Sequence, residues 1–174
     1  MLFRSRDAQV GAAVKHYPGL GAVSGNTDFT TEGILDTTTT LDGAEAGAFD
    51  QAITKADPAM AMMSLATYQS IDPNNPAVFS STIIDGHIRN VLKYTGVVIS
   101  DSMSAEALSS YDVSQLGVNL VEAGGDMSCI GQTDYVKPIV DGLNERAKSD
   151  PAFASKVTAA ATRVMALKIK MGLA

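Results

Sequence analysis

Four short runs, VGAAV (10–14), AMAMMSL (59–65), GVVIS (96–100) and DMSCI (126–130), constrain this chain more than any other feature. They are apolar almost throughout rather than in alternation, the pattern of parallel strands covered on both faces. Helical spacing fills the gaps between them. Phe49, Ala52 and Ile53 share one face, as do Ile84, Ile88, Val91 and Leu92. Val113, Leu116, Leu120 and Val121 form another stripe, and Val136, Ile139, Val140 and Leu143 a fourth. A closing helix starts at Asp150-Pro151, stops at Gly172 and aligns Phe153, Val157, Ala160, Val164, Leu167 and Met171. Strand then helix, four times over, predicts βα units and a parallel sheet in the α/β class. Two architectures fit: an open doubly wound sheet, or part of a (β/α)8 barrel. A whole barrel needs about 250 residues and eight strands. With 174 residues and four predicted strands, this chain offers about half. No repeat or linker divides it, so residues 1–174 read as a single domain.

The connections are unequal. Residues 19–43, GLGAVSGNTDFTTEGILDTTTTLDG, and residues 66–80, ATYQSIDPNNPAVFS, read as long loops after the first and second strands. Loops beyond ~12–15 residues in a compact domain are usually functional or disordered. In parallel α/β folds, ligands sit at the strands' C-terminal ends, where both loops begin.

Charge excludes some partners. The formal net charge is -6, and no Lys/Arg cluster offsets it. Phosphate binding needs a basic face, so a nucleic-acid partner is not expected, nor is an anionic membrane surface. No apolar run reaches the roughly 20 residues of a membrane-spanning helix. MLFRSRDAQV carries charges where a signal peptide needs an unbroken apolar region. The chain therefore reads as soluble, with its compartment open. Cys129, the one cysteine, lies in an apolar run without a CxxC partner, and reads as a small buried residue. Two distant histidines make a His-based metal site an unfavourable reading, and no GxGxxG, Walker, HExxH or GxSxG motif suggests a cofactor or another chemistry.

Several residues at predicted strand ends bear chemistry. Lys15 and His16 close the first strand just before Pro18, Gly19 and Gly21. They read either as a surface lysine and a loop-capping histidine, or as donors converging on sugar hydroxyls. Asp101 follows VVIS, where it either caps the next helix or serves as a catalytic carboxylate. Asp28, in GNTDFT, is either an Asx-turn residue or a site carboxylate. Asp36, Asp42 and Asp126 read as turn, cap and strand-edge residues, and His87 as structural or exposed.

The ordered stretches AAVKHYPGLG, GNTD, PAMAMMSLATYQSIDPNNPAVFSSTIIDGHIRNVLKYTGVVISD, EAGGDM and RVMALKIKMGL resemble glycoside hydrolase family 3 over about residues 11–173. The resemblance is to its β-N-acetylglucosaminidase (β-N-acetylhexosaminidase) branch. It implies a (β/α)8 catalytic barrel, of which this chain supplies strands five to eight. It implies that Asp101 is the nucleophile of a retaining glycosidase, and that Lys15 and His16 hydrogen-bond the sugar. It also implies a terminal β-linked N-acetylglucosamine or related sugar as substrate, with no cofactor. The family branch carries an Asp-x-His pair after its KHFPG segment. Here Asp28-Phe29-Thr30 stands in that place, leaving Asp28 as the candidate acid and threonine where histidine is expected. A neutral hydroxyl protonates a leaving group poorly. The alternative is therefore an inactive sugar-binding or structural half-barrel. A parallel sheet cut at its fifth strand exposes an apolar face and two edges. Association is expected, as a homo-oligomer or with a missing N-terminal half.

Overall fold

The computed structural model describes Ala8 and residues 10–174; the rest of the stretch read for a signal peptide lies outside the described residues. Four parallel strands form the central sheet: β1 (Ala13–Tyr17), β3 (Met60–Met63), β6 (Val97–Ser102) and β7 (Met127–Cys129), in the order β1-β3-β6-β7. Among the described residues, five helices of ten or more residues accompany them: α1 (Ala44–Ala56), α2 (Thr82–Val91), α3 (Val113–Glu122), α4 (Val136–Ser149) and α5 (Pro151–Lys170). The predicted α/β class and parallel pairing hold.

The two predicted loops are not structureless. β2 (Leu35–Asp36), β4 (Thr67–Tyr68) and β5 (Asp72–Pro76) make a second sheet in the order β2-β4-β5. Its strands are too short to leave a periodic signature. Asp36, read as a turn residue, is the last residue of β2 and is fully buried. Its carboxylate accepts hydrogen bonds from the Thr38 and Thr39 amides at 2.8 Å each and from the Thr39 hydroxyl at 2.6 Å. The Thr37–Thr40 run is thus a cradle for one buried charge. Asp42 does not cap α1: Gly43 occupies that position, and Asp42 bonds to the Thr40 side chain instead.

α2 carries main-chain bonds from Gly86 to Ser81 and from Leu92 to His87, each spanning five residues, so it is wider than an α-helix. That winding changes which side chains face inward. Ile83, Ile84 and Ile88 are fully buried, whereas Val91, placed on the same face by α-helical spacing, is 64% exposed. Asp112 and Asp150 cap α3 and α5 through their side chains. Val136 and Val140 point outward from α4, leaving Ile139 as its buried anchor.

The core joins Tyr17, Ala61, Met63, Ile83, Ile84, Ile88, Val98, Leu116 and Leu120 between sheet and helices. Each fully buried aliphatic side chain contributes about 1.5–3 kcal/mol. On the other face, cover is incomplete: Ala13 and Lys15 are exposed and Met60 and Met62 half-buried. The continuous apolar runs predicted cover on both faces, and β1 and β3 have it on one. Cys129 is half-buried rather than buried. Among the described residues, no helix is long and apolar enough to cross a membrane.

Candidate functional site

Two strands of the main sheet contain one residue more than their neighbours. Between Val14 and Tyr17, β1 advances three residues while β3 advances two, from Ala61 to Met63. Between Ile99 and Ser102, β6 advances three while β7 advances two, from Met127 to Cys129. These are β-bulges, which re-aim side chains and occur beside active sites. The first contains Lys15 and His16, and the second contains Asp101. In a regular strand, His16 would face the helices with Val14. The extra residue instead lets Val14 and Tyr17 both point into the core, and leaves Lys15 and His16 outside it.

His16 and Asp101 meet at the C-terminal ends of β1 and β6. His16 Nε2 lies 3.3 Å from Asp101 Oδ2, with side chains 23% and 19% exposed. The strands they come from are separated by β3. With neighbours ~4.8 Å apart, two side chains and the curl of the sheet close the gap. Asp101 does not cap a following helix: its Oδ1 accepts from the adjacent Ser102 amide at 2.9 Å. Lys15 is exposed, and its charge is felt at His16. Burial holds the His16 imidazole below its ordinary value; Asp101 opposes this, Lys15 reinforces it and Asp28 opposes it.

The loop carrying Asp28 folds back toward this corner. Main-chain oxygens of Thr27 and Asp28 accept from Ala107 and Glu106, in the turn that follows β6. The Asx-type turn is made by Asn26, whose Oδ1 accepts from the Asp28 amide at 2.9 Å, leaving the Asp28 side chain exposed. The Thr30 hydroxyl is engaged within the loop, accepting from Glu32 N at 2.8 Å.

The turn after His16 is clamped by residues that the sequence did not single out. Glu45 on α1 accepts from Gly21 N at 2.8 Å, and the buried Tyr68 hydroxyl donates to the Gly19 carbonyl. Gly19 has φ +136°, and a Cβ there would sit 2.4 Å from Glu45 Cγ, so only glycine fits. The peptide bonds Lys15-His16 and Tyr17-Pro18 are cis. His87, read as structural or exposed, is half-buried against Asp50, with Nε2 2.8 Å from Oδ2. Asp126, read as a strand-edge residue, is fully buried between Arg89 and Arg163. None of these partnerships has a local sequence signal, because each joins residues at least 24 positions apart.

A cavity of about 410 Å³ lies at the opposite ends of β1 and β3, bounded by Gly11, Ala12, Pro58, Ala59, Leu167 and Met171. Among the described residues, its charged lining groups are Asp57 and Lys170. Sites in parallel α/β folds form at the C-terminal strand ends, the end of the sheet where His16 and Asp101 stand and not the end that holds this cavity. Among the described residues, no group of three or more His, Cys, Asp or Glu side chains is placed to hold a metal ion.

A β-hexosaminidase of Alkalilimnicola ehrlichii is 33% identical over 123 residues, covering 70% of this chain and 35% of the relative. An uncharacterized secreted glycosyl hydrolase of Arthroderma benhamiae is 35% identical over 122 residues, covering 67% and 33%. This chain therefore spans about a third of the length of these relatives. The crystal structure of a β-N-acetylhexosaminidase from Beutenbergia cavernae superposes with TM-score 0.86 at 37% identity, over 94% of this chain and 48% of that one. A family 3 β-N-acetylglucosaminidase from a Paenibacillus strain does so with TM-score 0.85 at 28% identity, over 98% and 33%. The profile of the glycosyl hydrolase family 3 N-terminal domain matches residues 4–167, and the chain belongs to glycoside hydrolase family 3.

Proposed function

We propose that this chain carries the nucleophile side of a retaining glycosidase site for terminal β-linked N-acetylglucosamine or a related sugar. The observation that supports this most directly is the 3.3 Å approach of His16 Nε2 to Asp101 Oδ2 at the strand ends. Asp101 attacks the anomeric carbon, forming a glycosyl ester as the bond to the leaving oxygen breaks. His16 and Lys15 hydrogen-bond the sugar's hydroxyls. The leaving oxygen takes a proton from an acid on the far side, for which Asp28, whose charge is felt at His16, is the candidate. Water then cleaves the ester with the same group acting as base.

Thr30 favours a second reading, a module that binds the sugar without turning it over. It stands where the resemblance implies an acid/base histidine, and its hydroxyl is spent on Glu32. A chromogenic N-acetyl-β-glucosaminide separates the two. Hydrolysis that disappears in Asp101→Ala supports the enzyme. Calorimetric binding of N-acetylglucosamine without hydrolysis supports the module, and if neither hydrolysis nor binding appears the carbohydrate reading falls.

The site also needs a second wall. β1 and β7 are the outer strands of the sheet, and its face at Ala13, Met60 and Met62 is open. In this reading the chain forms half of a barrel that is completed by four further strands, from a second copy or from an N-terminal half. Light scattering that gave a folded 18.1 kDa monomer at micromolar concentration would refute self-association.

A further inference from the structure

We infer that Asp50 and His87 form a positioning pair that, through the Tyr17 hydroxyl, fixes the β1 bulge and so sets His16 against Asp101. This rests on reading His16 and Asp101 as site residues. Tyr17 is the first residue after the bulge and is fully buried. A buried phenol requires a polar partner, and Tyr17 donates to Asp50 Oδ1 at 2.9 Å. The other oxygen of that carboxylate takes His87 Nε2 at 2.8 Å. The His87 ring also lies over the Tyr17 ring, centroids 6.4 Å apart and planes 29° from parallel. Phe49 meets the ring edge-on, centroids 5.8 Å apart at 82°. The phenol is therefore held at its hydroxyl and on two sides of its ring by α1 and α2.

His16 and Tyr17 are consecutive, one outside the core and one inside. A twist of the strand there moves both side chains, in opposite senses, so a fixed Tyr17 defines where the His16 imidazole points. Bulged strands otherwise have little to hold their register, because the extra residue is left out of the ladder. Burial, and then the charge of Asp50, push the Tyr17 hydroxyl far above its ordinary value, so it remains a donor at every working pH. A phenylalanine at position 17 would pack the same ring but lose the tether. The charged groups that bear on His16 are Asp101, Lys15 and Asp28.

The test is a titration of the His16 imidazole by NMR in the full chain. The protein has two histidines, and the signal missing from His16→Gln assigns the pair. Asp101→Asn removes an opposing charge, so it lowers the His16 midpoint in the parent protein. In a Tyr17→Phe background, the same substitution shifts the midpoint by less than half as much, because His16 no longer faces Asp101. Asp50→Asn reproduces this, and adding it to Tyr17→Phe changes nothing further. Should Asp50→Asn fail to fold, Tyr17→Phe keeps the ring packing and decides the matter alone. An Asp101→Asn shift of the same size in both backgrounds overturns the proposal, as does the absence of any shift in the parent. A purely structural tether would lower the melting temperature and leave the His16 response intact. The measurement uses no turnover, so a chain that hydrolyses nothing can still show the coupling, and an active one can still lack it.

Discussion

Asp126 gives the prediction most fully set by the structure. Its carboxylate is fully buried, with Oδ2 accepting from Arg89 Nη2 at 2.5 Å and from the Val98 amide at 2.8 Å, and Oδ1 accepting from Arg163 Nε at 2.8 Å. Arg89 ties this carboxylate to the carbonyls of Tyr94, at 3.0 Å, and Gly96, at 2.7 Å, at the entry to β6. Burial pulls its guanidinium below the ordinary value, and Asp126 opposes that pull. Its Nε is buried without a partner, so the neutral carbonyls of Tyr94, Gly96 and Gly124 are the hydrogen-bond acceptors left to this cation once the carboxylate is gone. Asp126→Ala strands that cation. Removing one member of a buried pair costs about 3–5 kcal/mol. Arg163, 29% exposed, turns to water and adds little, as exposed pairs contribute about 0–1 kcal/mol. A domain of this length loses about 2–4 °C in Tm per kcal/mol, so a loss near 4 kcal/mol lowers Tm by about 8–16 °C. Thermal unfolding followed by circular dichroism at pH 7 measures it. Asp126→Leu combined with Arg89→Met removes both charges and recovers more than half the loss, because the penalty comes from the unpaired ion. A fall below about 3 °C for Asp126→Ala, or a double variant no better than the single, refutes this account.

Two further outcomes follow from the second sheet and the turn. Burial raises the Asp36 carboxyl, but hydrogen bonds from the Thr39 hydroxyl, the Thr39 and Thr38 amides and the Thr38 hydroxyl outweigh it and hold the group below the usual carboxylate value. A depressed folded value adds stability that is present above the unfolded value near 3.9 and is lost as pH falls through the folded one. Asp36→Asn therefore costs about 1.5–3 kcal/mol at pH 7, and urea midpoints show the gap narrowing below about pH 4; a gap that does not change with pH counts against the cradle. Gly19→Ala forces an L-residue to φ +136° and pushes Glu45 off Gly21 N. Its cost is about 1–3 kcal/mol, read as a lower urea midpoint together with weaker sugar binding, and unchanged values for both would show that the turn tolerates a side chain.

The main sheet was legible because its signals are local. Four apolar runs, and Asp150, Pro151 and Gly172 as bounds of α5, are each decided within a few residues. What was misread depends on partners far along the chain. β2 is two residues long and exists because Ile34 and Asp36 carbonyls accept from Thr67 and Gln69 amides, more than thirty positions away. Val91 left the predicted face of α2 because the helix winds more widely than its sequence spacing assumes. Asp126 was read as an edge residue because nothing nearby announces Arg89 or Arg163.

The site shows the same division most sharply. KHYPGLG reads as the end of a strand that its cationic pair closes, since Pro18 and Gly19 are turn residues. The strand in fact continues through Lys15 and His16 to Tyr17, and the pair belongs to a bulge inside it. No glycine marks that bulge. It exists only in the comparison of three steps along β1 with two along β3, strands whose paired residues lie some 46–47 positions apart. The same is true of Asp101, whose bulge is defined against β7. Sequence spacing can say that a lysine, a histidine and an aspartate stand near strand ends. Which face they take is decided by register, because one added residue reverses the alternation of a strand. A deletion of one residue within Val14–Tyr17 would restore regular pairing with β3. It would also leave a single cationic side chain, outside the core between the inward-facing Val14 and Tyr17, so the strand end could no longer present a lysine and a histidine together.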